Sequence, residues 1–304
     1  MSWTAAFLII TSAFMHAFWN LISKRRSPTL AFFFIAAASA ALLVSPMLAT
    51  HWHLLPLVPP SVWVLILATG VAQTVYFSGL AGAYQHGDMS LAYPLARALP
   101  VLAIAAISIA LGTSGEIGYL SIFGMLLITA GCIILPLPHF RRLKLRDYIG
   151  AVYLMAIVAA IGTTGYTLLD DAALRQLRGI SELSLSTTKT TLLFISLQTV
   201  STAILIGLVT TAKTAERQRL MNLASNRKDL FSGMLTGIIM VATYGLVLAS
   251  MAYVRNVSYV AAFRQLSIPI GALLGMTLQR EARFRPKIAG IAIIFVGLIL
   301  VGVG

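Results

Sequence analysis

The sequence predicts an all-α membrane protein, with ten transmembrane helices arranged as two inverted five-helix repeats. Three observations predict it: the apolar bulk of the chain, the spacing of its apolar runs, and a pattern that recurs after 166–168 residues. Of 304 residues, 59% are hydrophobic and 10% charged, and the mean hydropathy is +0.90. Soluble domains have about 45–50% apolar and about 25% charged residues, so these few charges cannot cover a water-facing surface of this size.

Runs long enough to cross a bilayer, about 20 residues each, lie near 3–22, 29–49, 61–84, 91–111, 118–137, 149–169, 186–209, 231–253, 258–278 and 287–303. The breaks carry Pro59 and Pro60, Gly87 and Asp88, Gly115 and Glu116, and the basic stretch 139–147. In lipid the backbone must satisfy its own polar groups, and no segment alternates as a barrel strand does, so the spans are expected to be helices. The first run carries its charges, Lys24, Arg25 and Arg26, behind it. A cleaved signal carries them in front, so this run is expected to remain as the first helix. Cys132 is the single cysteine and lies in an apolar run, which leaves no disulfide framework and no cysteine metal site.

The net charge of +13 sits in short runs between spans, as positive-inside anchors do, and not on a face for nucleic acid. Connections 1–2, 5–6, 7–8 and 9–10 hold three, four, five and four Lys and Arg residues. The opposite connections hold Arg175, Arg178 and Arg255. This asymmetry puts the basic side in the cytoplasm and both termini outside.

The chain also repeats itself. Residues 124–131, GMLLITAG, match residues 290–297, GIAIIFVG. Tyr76, Leu80, Ala81 and Ser90 match Tyr244, Leu248, Ala249 and Ser258, and Arg97 matches Arg264, each ahead of a proline (Pro100, Pro269). Residues 1–137 therefore form the expected first repeat, 138–148 a basic connecting loop and 149–304 the second repeat. Five spans per half is odd, so the second copy enters the membrane upside down. Such repeats hold their sites at the interface of the halves near mid-membrane.

The candidate site is read from polar residues inside spans. Arg97 and Arg264 each lie about six residues, or about 9 Å of rise, into a span. A charge there costs at least about 2.5–3.5 kcal/mol on insertion scales, so it faces a cavity or a partner. One reading gives the pair an anion such as a carboxylate, which suits the guanidinium fork. The other lets each snorkel to an interface or tie helix-end carbonyls. Tyr93 and Ser90 share the helix of Arg97. His16 and Asn20, four apart, share a face of the first helix. His16 titrates near neutral pH and is the candidate for proton coupling; a neutral histidine bonded to a neighbouring helix is the alternative. Asn20 is equally readable as a cap or an interhelical bond. Tyr76 and Tyr244 occupy equivalent positions on the third and eighth spans, as an aromatic cavity wall or as ordinary packing. Thr163, Thr164, Tyr166 and Asp170 make a polar stripe on the sixth.

All nine acids are placed in connections or at helix ends, Asp170 and Asp171 among them. Carriers of hydrophobic cations need a buried carboxylate, so this placement counts against such cargo. No Walker lysine motif, HExxH or GxSxG occurs. Nucleotide-driven transport and common hydrolase chemistry therefore have no support, and neither an enzyme activity nor a cofactor is expected.

His16-Ala17-Phe18-Trp19-Asn20 followed by Lys24, the run GDMSLAYPLAR over 87–97, and Gly115-Glu116 ahead of the next span resemble the drug/metabolite transporter superfamily. The nearest likeness is to its EamA-like ten-helix exporters. The second half keeps the pattern more loosely, through Arg264, Pro269, Glu281 and Arg283. The resemblance spans nearly the whole chain. It implies a solute carrier of the cell (inner) membrane, its central cavity lined mainly by helices 1, 3, 4, 6, 8 and 9, exporting amino acids or related metabolites. The expected substrate-binding residues are His16, Asn20, Tyr76, Tyr93, Arg97, Tyr166, Tyr244 and Arg264. The expected partners are a small-molecule substrate and the lipid bilayer, without nucleic acid, for a monomer or homodimer. A carrier of uncharged or cationic solutes, with the arginines structural, is the alternative.

Overall fold

A computed structural model describes residues 2–23, 29–86, 89–112, 117–135, 137, 139–140, 150–278 and 284–304. The regular elements among them are helical: α1 (Trp3–Ser23), α2 (Leu30–His51), α3 (Pro60–His86), α4 (Met89–Ala110), α5 (Tyr119–Ile134), α6 (Ala151–Arg178), α7 (Thr187–Ala212), α8 (Thr214–Ser225), α9 (Arg227–Ser250), α10 (Val257–Phe263), α11 (Ser267–Leu278) and α12 (Arg285–Val303), with short 3₁₀ turns between some of them. Within the described residues, seven helical segments are long and apolar enough to cross a membrane. Three shorter apolar stretches, Trp3–Ala17, Ala96–Ala110 and Tyr119–Ile134, accompany them.

Local chemistry sets several starts. Side-chain oxygens take up N–H groups that a first turn leaves unbonded. Thr29 accepts from Phe32 N at 3.3 Å, Asn226 from Lys228 N at 3.1 Å and Asn256 from Ser258 N at 2.8 Å. Pro60 opens α3 and Pro286 lies in the first turn of α12, where a missing N–H is harmless.

Three features differ from the sequence expectation. First, the charges of Asp170 and Asp171 predict an end to the sixth span near residue 169, yet α6 continues to Arg178. The helix continues because neighbouring helices supply partners to two of its polar side chains. Asp170 accepts from Thr69 and Tyr244, and Arg178 donates to the Leu248 carbonyl and the Thr191 hydroxyl, both at 3.3 Å. Asp170 is thus not at a helix end but wholly buried, which withdraws the inference against cationic cargo. Second, the connection between the seventh and eighth spans is itself a helix, α8, docked on α2 by Glu216, which accepts from Ala31 N at 2.9 Å. Third, the ninth span is broken by a 3₁₀ turn at Arg264–Leu266. Ser267 hydroxyl claims the Arg264 carbonyl at 2.9 Å, and Pro269 brings no N–H to bridge the break.

Glycines let helix pairs close on one another. A Cβ on Gly162 of α6 would lie 2.4 Å from Tyr76 N of α3, and one on Gly79 of α3 would lie 2.5 Å from Ala159 N of α6. Across α5 and α12, a Cβ on Gly131 would lie 2.9 Å from the Gly290 carbonyl oxygen, and one on Gly290 2.8 Å from that of Gly131. Further packing joins α2 with α7 and α9, and α1 with α9.

Candidate functional site

A cavity of about 900 Å³, its open mouth included, lies between the middle turns of α1, α2, α3, α7 and α9, with α4, α6 and the turn at Arg264 completing its wall. Six residues expected from the sequence line it: His16, Tyr76, Arg97, Tyr166, Tyr244 and Arg264. Asn20 and Tyr93 fall on α1 and α4, but their side chains lie outside the described residues.

The three tyrosines form one wall. Tyr166 of α6 stands between the other two, edge-on to Tyr76 at 5.7 Å between centroids and to Tyr244 at 5.6 Å. Edge-to-face packing at this spacing presents the positive rim of one ring to the negative face of the next. Arg264 completes the group: its Cζ lies 5.3 Å from the Tyr244 ring centroid and 5.8 Å from that of Tyr166, and Nη2 donates to the Tyr166 hydroxyl at 3.2 Å. Aromatic faces hold a cation without neutralising it. Among the described residues this guanidinium makes no ion pair.

Arg97 is placed differently, although the repeat pairs it with Arg264. It is 5% exposed and its fork is engaged by protein. Nε donates to Gln265 Oε1 at 3.3 Å, and Nη2 to the Arg264 carbonyl at 2.9 Å and Ser267 Oγ at 3.2 Å. Nη1 meets His16 Nε2 at 3.0 Å. A guanidinium only donates, so this His16 nitrogen accepts and carries no hydrogen. Arg97 thereby clasps the broken ninth span, adding a donor to the carbonyl at the break that Ser267 also bonds.

The polar stripe on α6 divides in the same way. Thr163 and Thr164 return their hydroxyls to Ala159 and Ala160 carbonyls one turn back, at 3.0 and 2.9 Å. Tyr166 and Asp170 reach out of the helix instead. Asp170, 0% exposed, accepts from Thr69 Oγ1 at 2.5 Å and from the Tyr244 hydroxyl, just behind the cavity wall.

Sequence reasoning passed over Gln73, Thr199, Thr202 and Ser12, which also line the cavity. Gln73 Oε1 accepts from Thr202 Oγ1 at 3.3 Å, and Ser12 donates to the Thr243 carbonyl at 2.9 Å. The mid-span position that singled out His16 also marks Gln73 in α3. Serine and threonine give no comparable signal, because their hydroxyls bond their own helix so readily.

No family model matches the chain, and no curated protein matches it by sequence. Twenty-six solved chains match it in structure. One of them, described as "Crystal structure of protein", superposes with a TM-score of 0.66 over 98% of this chain and 97% of its own length, at 16% sequence identity. That likeness is one of fold over the full length of both chains.

Proposed function

We propose that this chain is a secondary transporter of the cell (inner) membrane, similar to the EamA-like members of the drug/metabolite transporter superfamily. On this reading it exports a small metabolite bearing a carboxylate, such as an amino acid, by alternating access between residues 1–137 and 149–304. The observation that carries the reading is Arg264: a guanidinium at a cavity wall, held by two tyrosine rings, with no ion pair among the described residues. Holding a cation there is costly in a membrane interior, and an anionic group arriving in the cavity offsets that cost.

The packing supports an inverted repeat. Gly124 and Gly290 are matched in sequence, as are Gly131 and Gly297. Gly124 approaches Gly297, and Gly131 approaches Gly290. Exchanging the halves turns each contact into the other, as a two-fold axis between α5 and α12 requires. The pairing of α3 with α6 likewise has its counterpart in α9 with α1.

A carrier of uncharged or cationic solutes is the second reading, and Asp170 favours it. That carboxylate, however, already accepts two hydroxyls behind Tyr244, whereas Arg264 faces the cavity. The anionic reading ranks first on that difference.

Three probes of one shape separate the readings: phenylacetate, phenylacetamide and phenethylamine, scored by thermal shift on the purified protein. Phenylacetate should stabilise the protein most, and Arg264→Gln should abolish that shift. A larger shift with phenethylamine, or an unchanged phenylacetate shift in Arg264→Gln, would favour the second reading.

A further inference from the structure

Asp170 lies one turn beyond Tyr166 on α6, about 6 Å of rise from the level of the cavity wall. It has two hydroxyl donors and no ion pair among the described residues. A side chain needed only to tie α3, α6 and α9 together could be asparagine, which bonds hydroxyls without bringing a charge into the membrane. What asparagine lacks is a proton to gain and lose.

The surroundings of Asp170 accommodate both states. A hydroxyl rotates and accepts as readily as it donates. A protonated Asp170 can therefore give its hydrogen to the Tyr244 or Thr69 oxygen while no heavy atom moves. Tyr244 links it to the Arg264 guanidinium from the turn after α10, and Asp171 follows it on its own helix. Among the described residues, the neighbouring elements turn their other ionisable groups elsewhere. Tyr76 of α3 packs on Tyr166, Arg97 of α4 faces His16 and the Arg264 carbonyl, Tyr259 of α10 faces Ser121, and Lys189 of α7 is exposed. Arg264 is thus the cation whose field Asp170 feels, and Tyr244 touches both: its hydroxyl bonds the acid and its ring lies under the guanidinium.

We propose that Asp170 is the proton-binding site of this carrier, reached from the cavity through the Tyr244 hydroxyl, and that a proton on Asp170 and an anion on Arg264 favour each other. The inference rests on the anion-carrier reading above. The proton comes from water on the side to which the cavity is open and bonds to Asp170 Oδ2 as the Tyr244 hydroxyl turns aside. It leaves to water on the other side once the cavity opens there, and the carboxylate is restored. An anion on Arg264 screens the positive field that favours the ionised acid, so loading promotes protonation. By reciprocity, protonation tightens anion binding. A monoanion and a proton together add no net charge to the loaded carrier.

Two measurements on the full-length protein in detergent test this. In weakly buffered solution with a pH indicator, adding phenylacetate should draw up to about one proton per molecule bound. Asp170→Asn should bind phenylacetate with no uptake, and uptake equal to the native protein's would overturn the proposal. In the second, a pH jump on the ligand-free protein is followed by infrared difference spectroscopy. A protonated-carboxyl band should appear, vanish in Asp170→Asn and shift in Tyr244→Phe. A band unchanged in both variants would overturn the proposal. The infrared arm needs no ligand, so a failure of phenylacetate to bind would count against the anion reading alone. Should Asp170→Asn not fold, the Tyr244→Phe band decides.

Discussion

Gly124 and Gly297 meet so closely that a Cβ on either would lie 2.6 Å from the carbonyl oxygen of the other. The nearest atom in the way is backbone in each case, which cannot rotate aside as a side chain does. Alanine at Gly124 gains about 1 kcal/mol of helix propensity, but overpacking a tight contact costs about 1–3 kcal/mol, occasionally more. The clash should win. Gly124→Ala is expected to lower the melting temperature of the purified protein, while Gly271→Ala, where a Cβ would make only an ordinary contact with Ala17 Cβ at 3.9 Å, should not lower it. Equal melting temperatures for the two variants would show that α5 and α12 separate easily.

Tyr166 supports Arg264 in two ways that substitution can separate. Tyr166→Phe removes the hydroxyl acceptor at 3.2 Å but keeps the ring 5.8 Å from the guanidinium and edge-on to two other tyrosines. Tyr166→Leu removes both. Cation–π and edge-to-face contacts are each worth about 0.5–2 kcal/mol. Phenylacetate affinity should therefore fall about tenfold or more in Tyr166→Leu and by clearly less in Tyr166→Phe, as read by calorimetric titration. Equal losses would assign the whole effect to the hydroxyl.

Six residues of the cavity wall were legible in the sequence, because an arginine, a histidine or a tyrosine inside an apolar run is conspicuous and the bilayer penalises it unless something uses it. His16, Arg97 and Arg264 stood out for that reason. The contact of α5 with α12 has a sequence signal too, since the glycines at it recur at a fixed offset. The sequence misplaces Asp170 because a charge reads as the edge of a span. Whether a charge ends a helix depends on partners such as Thr69 and Tyr244, which lie 101 and 74 residues away in sequence. The different tasks of Arg97 and Arg264 were hidden for a related reason. Their helices match in sequence, but of the two only the ninth span breaks, and Arg97 bonds the carbonyl at that break.

That division of labour can be measured. One lysine ammonium cannot reproduce the Arg97 contacts to Gln265, His16, Ser267 and the Arg264 carbonyl. Arg97→Lys should therefore cost about 1–3 kcal/mol of stability, because buried acceptors lose their donors. Arg264→Lys keeps a cation over the tyrosine rings, so its loss should fall on ligand affinity and leave the melting temperature near that of the native protein. Thermal unfolding and phenylacetate titration on both variants give the comparison. Destabilisation by Arg264→Lys as large as that by Arg97→Lys would make both arginines braces.

Glu216 offers a further check, away from the cavity. Its carboxylate is buried, takes the Ala31 N–H at 2.9 Å and bonds Arg219 Nη1 at 2.5 Å. Ala31 is in the first turn of α2, where N–H groups have no partner within the helix. Thr29 meets the one at Phe32 and Glu216 the one at Ala31, so the start of α2 depends on a residue of α8. The carboxylate also sits at the positive end of the α2 dipole, which stabilises a negative charge there. Glu216→Gln keeps an acceptor oxygen but loses the charge; Glu216→Ala leaves the Ala31 N–H without its partner, at a cost of about 1–3 kcal/mol. Hydrogen–deuterium exchange of peptides covering the start of α2 should therefore quicken in the order native, Glu216→Gln, Glu216→Ala, while peptides from the far end of α2 stay as slow as before. Uniform acceleration along α2 would mean that α8 stabilises the whole bundle and not this helix start.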